Sequence, residues 1–99
     1  MKKAKAKPLR GNALLRAVIN QIIDHPETWD QTRCYLCLAG HAQVMGGMKA
    51  NCSKVTIDAE KLLGLTHVEA NYLFSRNRTL TELYGFAFAR LNKGKLPRL

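Results

Sequence analysis

Residues 34–42, CYLCLAGHA, hold two of the chain's three cysteines and one of its three histidines. As a metal knuckle or a redox dithiol, this stretch would organise a small fold around its chemistry. As a helix, it would be the middle of an apolar core. The spacing favours the helix. Cys34 and Cys37 stand three apart and Cys37 and His41 four apart, so neighbours share one helical face. Leu38, Ala39, Ala42, Val44 and Met45 continue the apolar pattern, which predicts a helix from Cys34 to Met45. Gly46-Gly47 would end it in left-handed backbone. Ala39, Gly40 and Ala42 are small, and a helical glycine costs about 1 kcal/mol relative to alanine. That cost is tolerated where another element must come close, with Trp29 or the preceding helix as candidates.

The sulfur chemistry is weighed on the same residues. Cys34, Cys37, His41 and Cys52 form C-x2-C-x3-H-x10-C, the ligand types of a tetrahedral zinc site. The knuckle reads Tyr-Leu, however, where a turn would want glycine or polar residues, so these four are weak metal candidates and no cofactor is assigned. A thioredoxin-like dithiol needs a strand before its helix, and none is predicted. A Cys37–His41 nucleophile would need an orienting third group and an oxyanion site. Nothing in the sequence supplies them. The chain is therefore expected not to be an enzyme, with Cys37 filling space in the core. Three cysteines in a chain read as cytoplasmic also argue against a disulfide framework.

Working outward, Leu14, Leu15, Val18, Ile19, Ile22 and Ile23 form an apolar stripe on a first helix, with Asn12 as its expected cap. His25-Pro26 stops it. PETWDQTR follows as a turn that Trp29 anchors, and MKANCSK is read as a loop. Thr56 is the expected cap of a third helix that Gly64 ends. THVE (66–69) and TLTE (79–82) fit the capping box, predicting a fourth helix over about 67–74 and a fifth over about 80–91. No period-2 alternation of useful length appears. The fold class is all-α: a compact bundle of about five short helices across 12–91, between basic arms at 1–11 and 92–99.

The net charge of +9 equals the cations of residues 1–10 and 90–99. Lys2, Lys3, Lys5, Lys7 and Arg10 have no acid among them, nor do Arg90, Lys93, Lys95 and Arg98. Between them, seven basic and seven acidic residues balance. Basic arms neutralise phosphates or dock on acidic protein surfaces. No apolar run is long enough to span a membrane, and no secretory leader is read at the start, hence the cytoplasmic expectation.

HPETWDQ, CLAGHA, LLGLTHVEANYLF and RTLTELYGFA then occur in an order that resembles a family of short bacterial and phage proteins. Its motifs are W-D-Q, C-x-A-G-W-A, L-G-L, A-x-x-L-F and a later T-L pair, and the likeness covers about residues 20–87. Here His41 stands where the pattern has Trp, and TRCY replaces a stretch that often holds another. The resemblance implies no catalytic residues. It does imply a phage setting, and with it small anti-defence proteins, including anti-CRISPR proteins, that act by binding.

Two binding functions follow as expectations. The first is a non-catalytic inhibitor or adaptor that docks on a host protein or nucleoprotein complex. Tyr72, Arg76, Arg78 and the basic arms are its candidate contacts, since Tyr and Arg dominate interface hot spots. The second is a helix-turn-helix regulator on LLGLTHVEANYLF, with Leu65, Ala70 and Leu73 at its apolar positions. Against it, Glu60 stands four residues before the turn glycine, where a small residue is wanted, and Ala59 is one place off. Glu69 would also face outward beside phosphate.

Overall fold

Five residues spaced for one helical face, Leu14, Leu15, Val18, Ile19 and Ile22, are fully buried, and they form the spine of the molecule. They lie on α1 (Gly11–Asp24). A computed structural model describes residues 9–92, and the calls on 1–8 and 93–99, Lys2, Lys3, Lys5, Lys7, Lys93 and Lys95 included, fall outside them. After α1 come α2 (Leu38–Met45), α3 (Val55–Leu63), α4 (His67–Leu73) and α5 (Leu80–Asn92), with single 3₁₀ turns at Pro26–Thr28 and Cys52–Lys54. The fold is all-α, with no strand among the described residues. Leu38, Ala39 and Ala42 of α2, Ala59 and Leu63 of α3, Leu73 of α4 and Leu83 and Ala87 of α5 close the core around α1.

Both capping boxes form. Thr66 accepts from the Glu69 amide at 3.1 Å and the Glu69 carboxylate accepts from the Thr66 amide at 2.9 Å. Thr79 and Glu82 repeat the exchange at 3.2 and 2.9 Å. Each box satisfies orphan amides at a helix start, which is why these two boundaries were readable. Gly64 ends α3 with φ +68°, a left-handed conformation that glycine adopts without a Cβ penalty.

Three boundaries differ from expectation. The residue preceding α1 is Arg10, which makes no side-chain cap; Asn12 lies inside the helix. Asn51, not Thr56, makes the cap before α3, accepting from the Ser53 amide at 3.0 Å and so nucleating the 3₁₀ turn that leads into Val55. Most consequentially, α2 begins at Leu38 rather than Cys34, because Cys37 is extended (φ −76°, ψ 174°). The segment 30–37 folds back instead, closed by the Asp30 amide donating to Leu36 O and the Cys37 amide to Arg33 O.

Gly40 explains that fold-back. A Cβ there would sit 2.3 Å from Cys34 O and 2.7 Å from the Tyr35 carbonyl carbon, both backbone atoms that cannot rotate away. The close neighbour expected at Gly40 therefore exists. It is neither Trp29 nor α1 but the chain's own residues 34 and 35.

Candidate functional site

The fold-back sets the fate of the sulfur residues. Cys34 is paired with Cys52 in a disulfide, with Cα atoms 5.6 Å apart, within the usual range for such a bridge. This overturns the expectation of unpaired cysteines. Once residues 34–37 leave the helix, Cys34 reaches across to the 3₁₀ turn before α3. Cys37 remains a free thiol, 7% exposed. Its Sγ accepts from the Gly40 amide at 3.4 Å and donates to Cys34 O at 3.6 Å, so the thiol caps α2. His41 Nδ1 donates to the Cys37 carbonyl at 3.0 Å, while Nε2 lies 3.5 Å from Thr28 Oγ1. The ring thus meets the backbone of Cys37 and not its thiol. The weak metal candidates Cys34, Cys37, His41 and Cys52 do not converge as a ligand set; among the described residues no three His, Cys, Asp or Glu side chains do.

Two glutamines hold this region together, and the sequence reading missed both. Gln31 is 6% exposed. Its amide nitrogen donates to Leu73 O at 2.8 Å and Ser75 O at 3.0 Å, and its oxygen accepts from Trp29 Nε1 and from the Leu38 amide. One side chain thereby joins the start of α2 to the end of α4. Gln43 is fully buried. It exchanges two hydrogen bonds with the Asn51 backbone, at 2.9 and 3.1 Å, and donates to Asp58 at 3.0 Å. Buried amides are tolerated when every donor and acceptor is met, and both glutamines fulfil that condition. A signal existed for Gln43: it lies four residues after Ala39, on the apolar face of α2.

The outer face of α3 and α4 leaves side chains facing solvent. α3, the turn Gly64–Leu65–Thr66 and α4 form a helix–turn–helix unit, with Leu65, Ala70 and Leu73 buried beneath it. His67, Val68, Asn71 and Tyr72 of α4 are exposed. Glu69, expected to face outward, turns back instead. It closes the capping box and accepts from Arg90 Nη1 at 2.7 Å. The Thr66 amide, and after it the Arg90 guanidinium, hold its carboxyl below the ordinary 4.5, against a partial burial that pulls the other way. Glu60 lies at the rim of a cleft of about 250 Å³ between α3 and α4, its Oε1 3.4 Å from His67 Nδ1. The position where a small residue was wanted thus opens onto solvent.

Tyr72 is the best-supported exposed aromatic. Its ring is 39% exposed and stacks on Phe86, with centroids 5.9 Å apart, while the Arg78 guanidinium lies 4.2 Å from the ring centroid. Arg78 also donates to Glu82 at 3.4 Å, and its buried Nε has no hydrogen-bond partner among the described residues. The Thr79 amide and then Arg78 keep the Glu82 carboxyl below its ordinary value. Arg76, two residues before Arg78 in the chain, is exposed.

Two of the expected partner contacts are used internally. Arg90 donates to Asn12 Oδ1 at 2.9 Å, to Glu69 and to Gly64 O at 3.2 Å, clamping α5 to the start of α1 and the α3–α4 turn. Arg10 donates to Gly46 O at 2.7 Å. The structure thus brings Tyr72 and Arg78 together, leaves Arg76 exposed without bringing it to them, and sets Arg10 and Arg90 to holding the fold. No helix among the described residues is long and apolar enough to cross a membrane. Comparisons of the chain with protein-family models, with curated proteins and with solved structures find no match.

Proposed function

We propose that this chain is a non-catalytic binding protein of the phage or mobile-element inhibitor type, anti-CRISPR-like in its mode of action, which docks on a host protein or nucleoprotein complex. One observation carries the reading. Tyr72 is held between the Phe86 ring and the Arg78 guanidinium on an exposed helix face, beside Val68, which is 78% exposed. A tyrosine fixed before binding loses little side-chain entropy at an interface, and Tyr and Arg are among the residue types enriched at hot spots. The sulfur and imidazole groups that could have carried chemistry are engaged with backbone or with one another. Affinity capture from native cells tests the proposal. Tyr72→Ala should lower partner recovery about tenfold or more while the helical signal is retained. Undiminished recovery refutes this surface.

The second reading, a helix-turn-helix DNA regulator, is favoured by the three-residue turn with left-handed Gly64 and by the inward rotation of Glu69. Replacing Asn71 and Arg76 should then abolish sequence-specific binding. Unchanged sequence preference in that double variant rejects it.

A further inference from the structure

Residues 33–37 already make one helical turn of their own, with the Leu36 and Cys37 amides donating to Arg33 O at 3.0 and 2.9 Å. The extended Cys37 backbone, at ψ 174°, parts that turn from α2. At the break the Leu38 amide donates to Gln31 Oε1 at 3.1 Å and the Gly40 amide to Cys37 Sγ at 3.4 Å. In a continuous helix each would instead donate to the carbonyl four residues back. Turning Cys37 to helical backbone would therefore hand the Leu38 amide to Cys34 O and free Gln31. The Cys34–Cys52 bridge stands against this, because it ties the turn to the 3₁₀ segment before α3. Cys52 is exposed and Cys34 half-buried, so a thiolate in solution can reach the bridge.

We infer that the bridge is a redox-controlled site: a dithiol reductant opens it, residues 34–37 join α2, and the end of α4 that carries Tyr72 loosens. The first thiolate of the reductant attacks Cys52 Sγ, forming a mixed disulfide and expelling the Cys34 thiolate, which takes up a proton. The second thiolate closes the reductant's own disulfide and releases Cys52, which is protonated in turn. Two electrons and two protons pass from the dithiol to the protein, and Cys34 and Cys52 join Cys37 as free thiols. The link to α4 runs through Gln31. Its amide donates to Leu73 O and Ser75 O, and Ser75 O also accepts from the Arg78 amide at 3.1 Å. Arg78 in turn lies over the Tyr72 ring. Once Gln31 is drawn away, the end of α4 and the turn that sets Arg78 lose this buried donor. The inference rests on the reading of Tyr72 as a docking residue and adds its regulation: the bridged chain binds, and the reduced chain binds less. Gly40 distinguishes the two packings. Its missing Cβ is needed where residues 34 and 35 fold back against it, whereas in a continuous helix alanine is the better residue.

The test compares the full-length chain before and after treatment with dithiothreitol, with thiol labelling in denaturant confirming that the bridge has opened. On reduction the backbone carbon shifts of residues 34–37 should become helical. The Phe74 amide, which donates to Ala70 O at the end of α4, should exchange about tenfold faster. Partner recovery should fall about fivefold. The chain carrying both Cys34→Ser and Cys52→Ser should match the reduced protein with or without dithiol. Gln31→Ala should weaken capture in the bridged chain and make it indifferent to the reductant. Gly40→Ala, tested in the reduced chain, should make the shifts of residues 34–37 at least as helical as in the unaltered protein. The switch is overturned if reduction leaves those shifts unchanged or unfolds the chain outright. Helical shifts with unchanged exchange at Phe74 overturn the coupling to α4. If both respond and recovery stays the same while Tyr72→Ala still lowers it, the regulation is overturned. If instead Tyr72→Ala has no effect, the docking reading fails, and the shifts and the exchange still decide the switch.

Discussion

Between Trp29 and Met45 the glutamines and sulfur groups are engaged within the fold, whereas on the outer face of α4 side chains face solvent. Gln31 and Gln43 satisfy every amide group against backbone, the Trp29 indole or Asp58, Cys37 caps a helix, and Cys34 is bridged to Cys52. On α4, His67, Val68, Asn71 and Tyr72 cover nothing of their own helix and remain exposed. The richest chemistry in the sequence therefore serves architecture, and a plainer stretch is left for recognition. The cause is local geometry. Residues 30–37 cross the start of α2 at backbone contact distance, so the polar groups they turn inward, Gln31 and the Cys37 thiol, are met internally, while Thr32, Arg33 and Tyr35 stay exposed. α4 is short, and its outer face stays open to solvent even where Tyr72 meets Phe86 and Arg78.

The largest effect that would break this contrast is expected at Gly40. A methyl group added there meets two backbone carbonyls, so Gly40→Ala should cost about 3 kcal/mol or more in urea unfolding. A cost below about 1 kcal/mol would mean that the fold-back is loosely held. Next is the bridge. Cys34 and Cys52 close a loop with a sequence separation of 18. Replacing both with alanine should remove on the order of 3 kcal/mol, and addition of a dithiol reductant to the unaltered protein should give the same loss. The smallest effect sharpens the other side of the comparison. Glu69 titrates below its ordinary value in the folded chain. Its contribution is therefore complete above that ordinary value and is lost as pH falls through the lowered one. Glu69→Gln should lower the melting temperature at neutral pH, by no more than about 1 kcal/mol in stability. The gap between variant and unaltered protein should close in acid. A gap that persists there would mean that Arg90 does not act through the Glu69 charge.

These residues also show what could be read in advance. The two Thr-x-x-Glu boxes and Gly64 were legible because capping is decided within four residues. The apolar stripe of α1 was legible from its period, although Ile23, placed on it, is 36% exposed. The start of α2 was not. Helical spacing continued back to Cys34, and only the contact between Gly40 and residues 34–35 shows why the chain leaves the helix earlier. The Cys34–Cys52 pairing failed for the same reason, since it follows from the fold-back and not from any spacing. The docking candidates divide likewise. Tyr72 and Arg78 are near neighbours in sequence and meet through local geometry, whereas Arg90 was counted as a surface cation until its three partners, from three other parts of the chain, absorbed it.

By itself the sequence determined the all-α class, the caps of α4 and α5, the buried stripe of α1 and the segregation of charge into the two arms. Each depends on periodicity, local capping or composition, which short-range physics fixes. Only the tertiary structure decided which cysteines meet, which glutamines are buried, what fills the space above Gly40 and that Arg90 binds Asn12, Gly64 and Glu69. Those outcomes depend on contacts between residues tens of positions apart, and such contacts exist only once α1 has gathered the other helices around it.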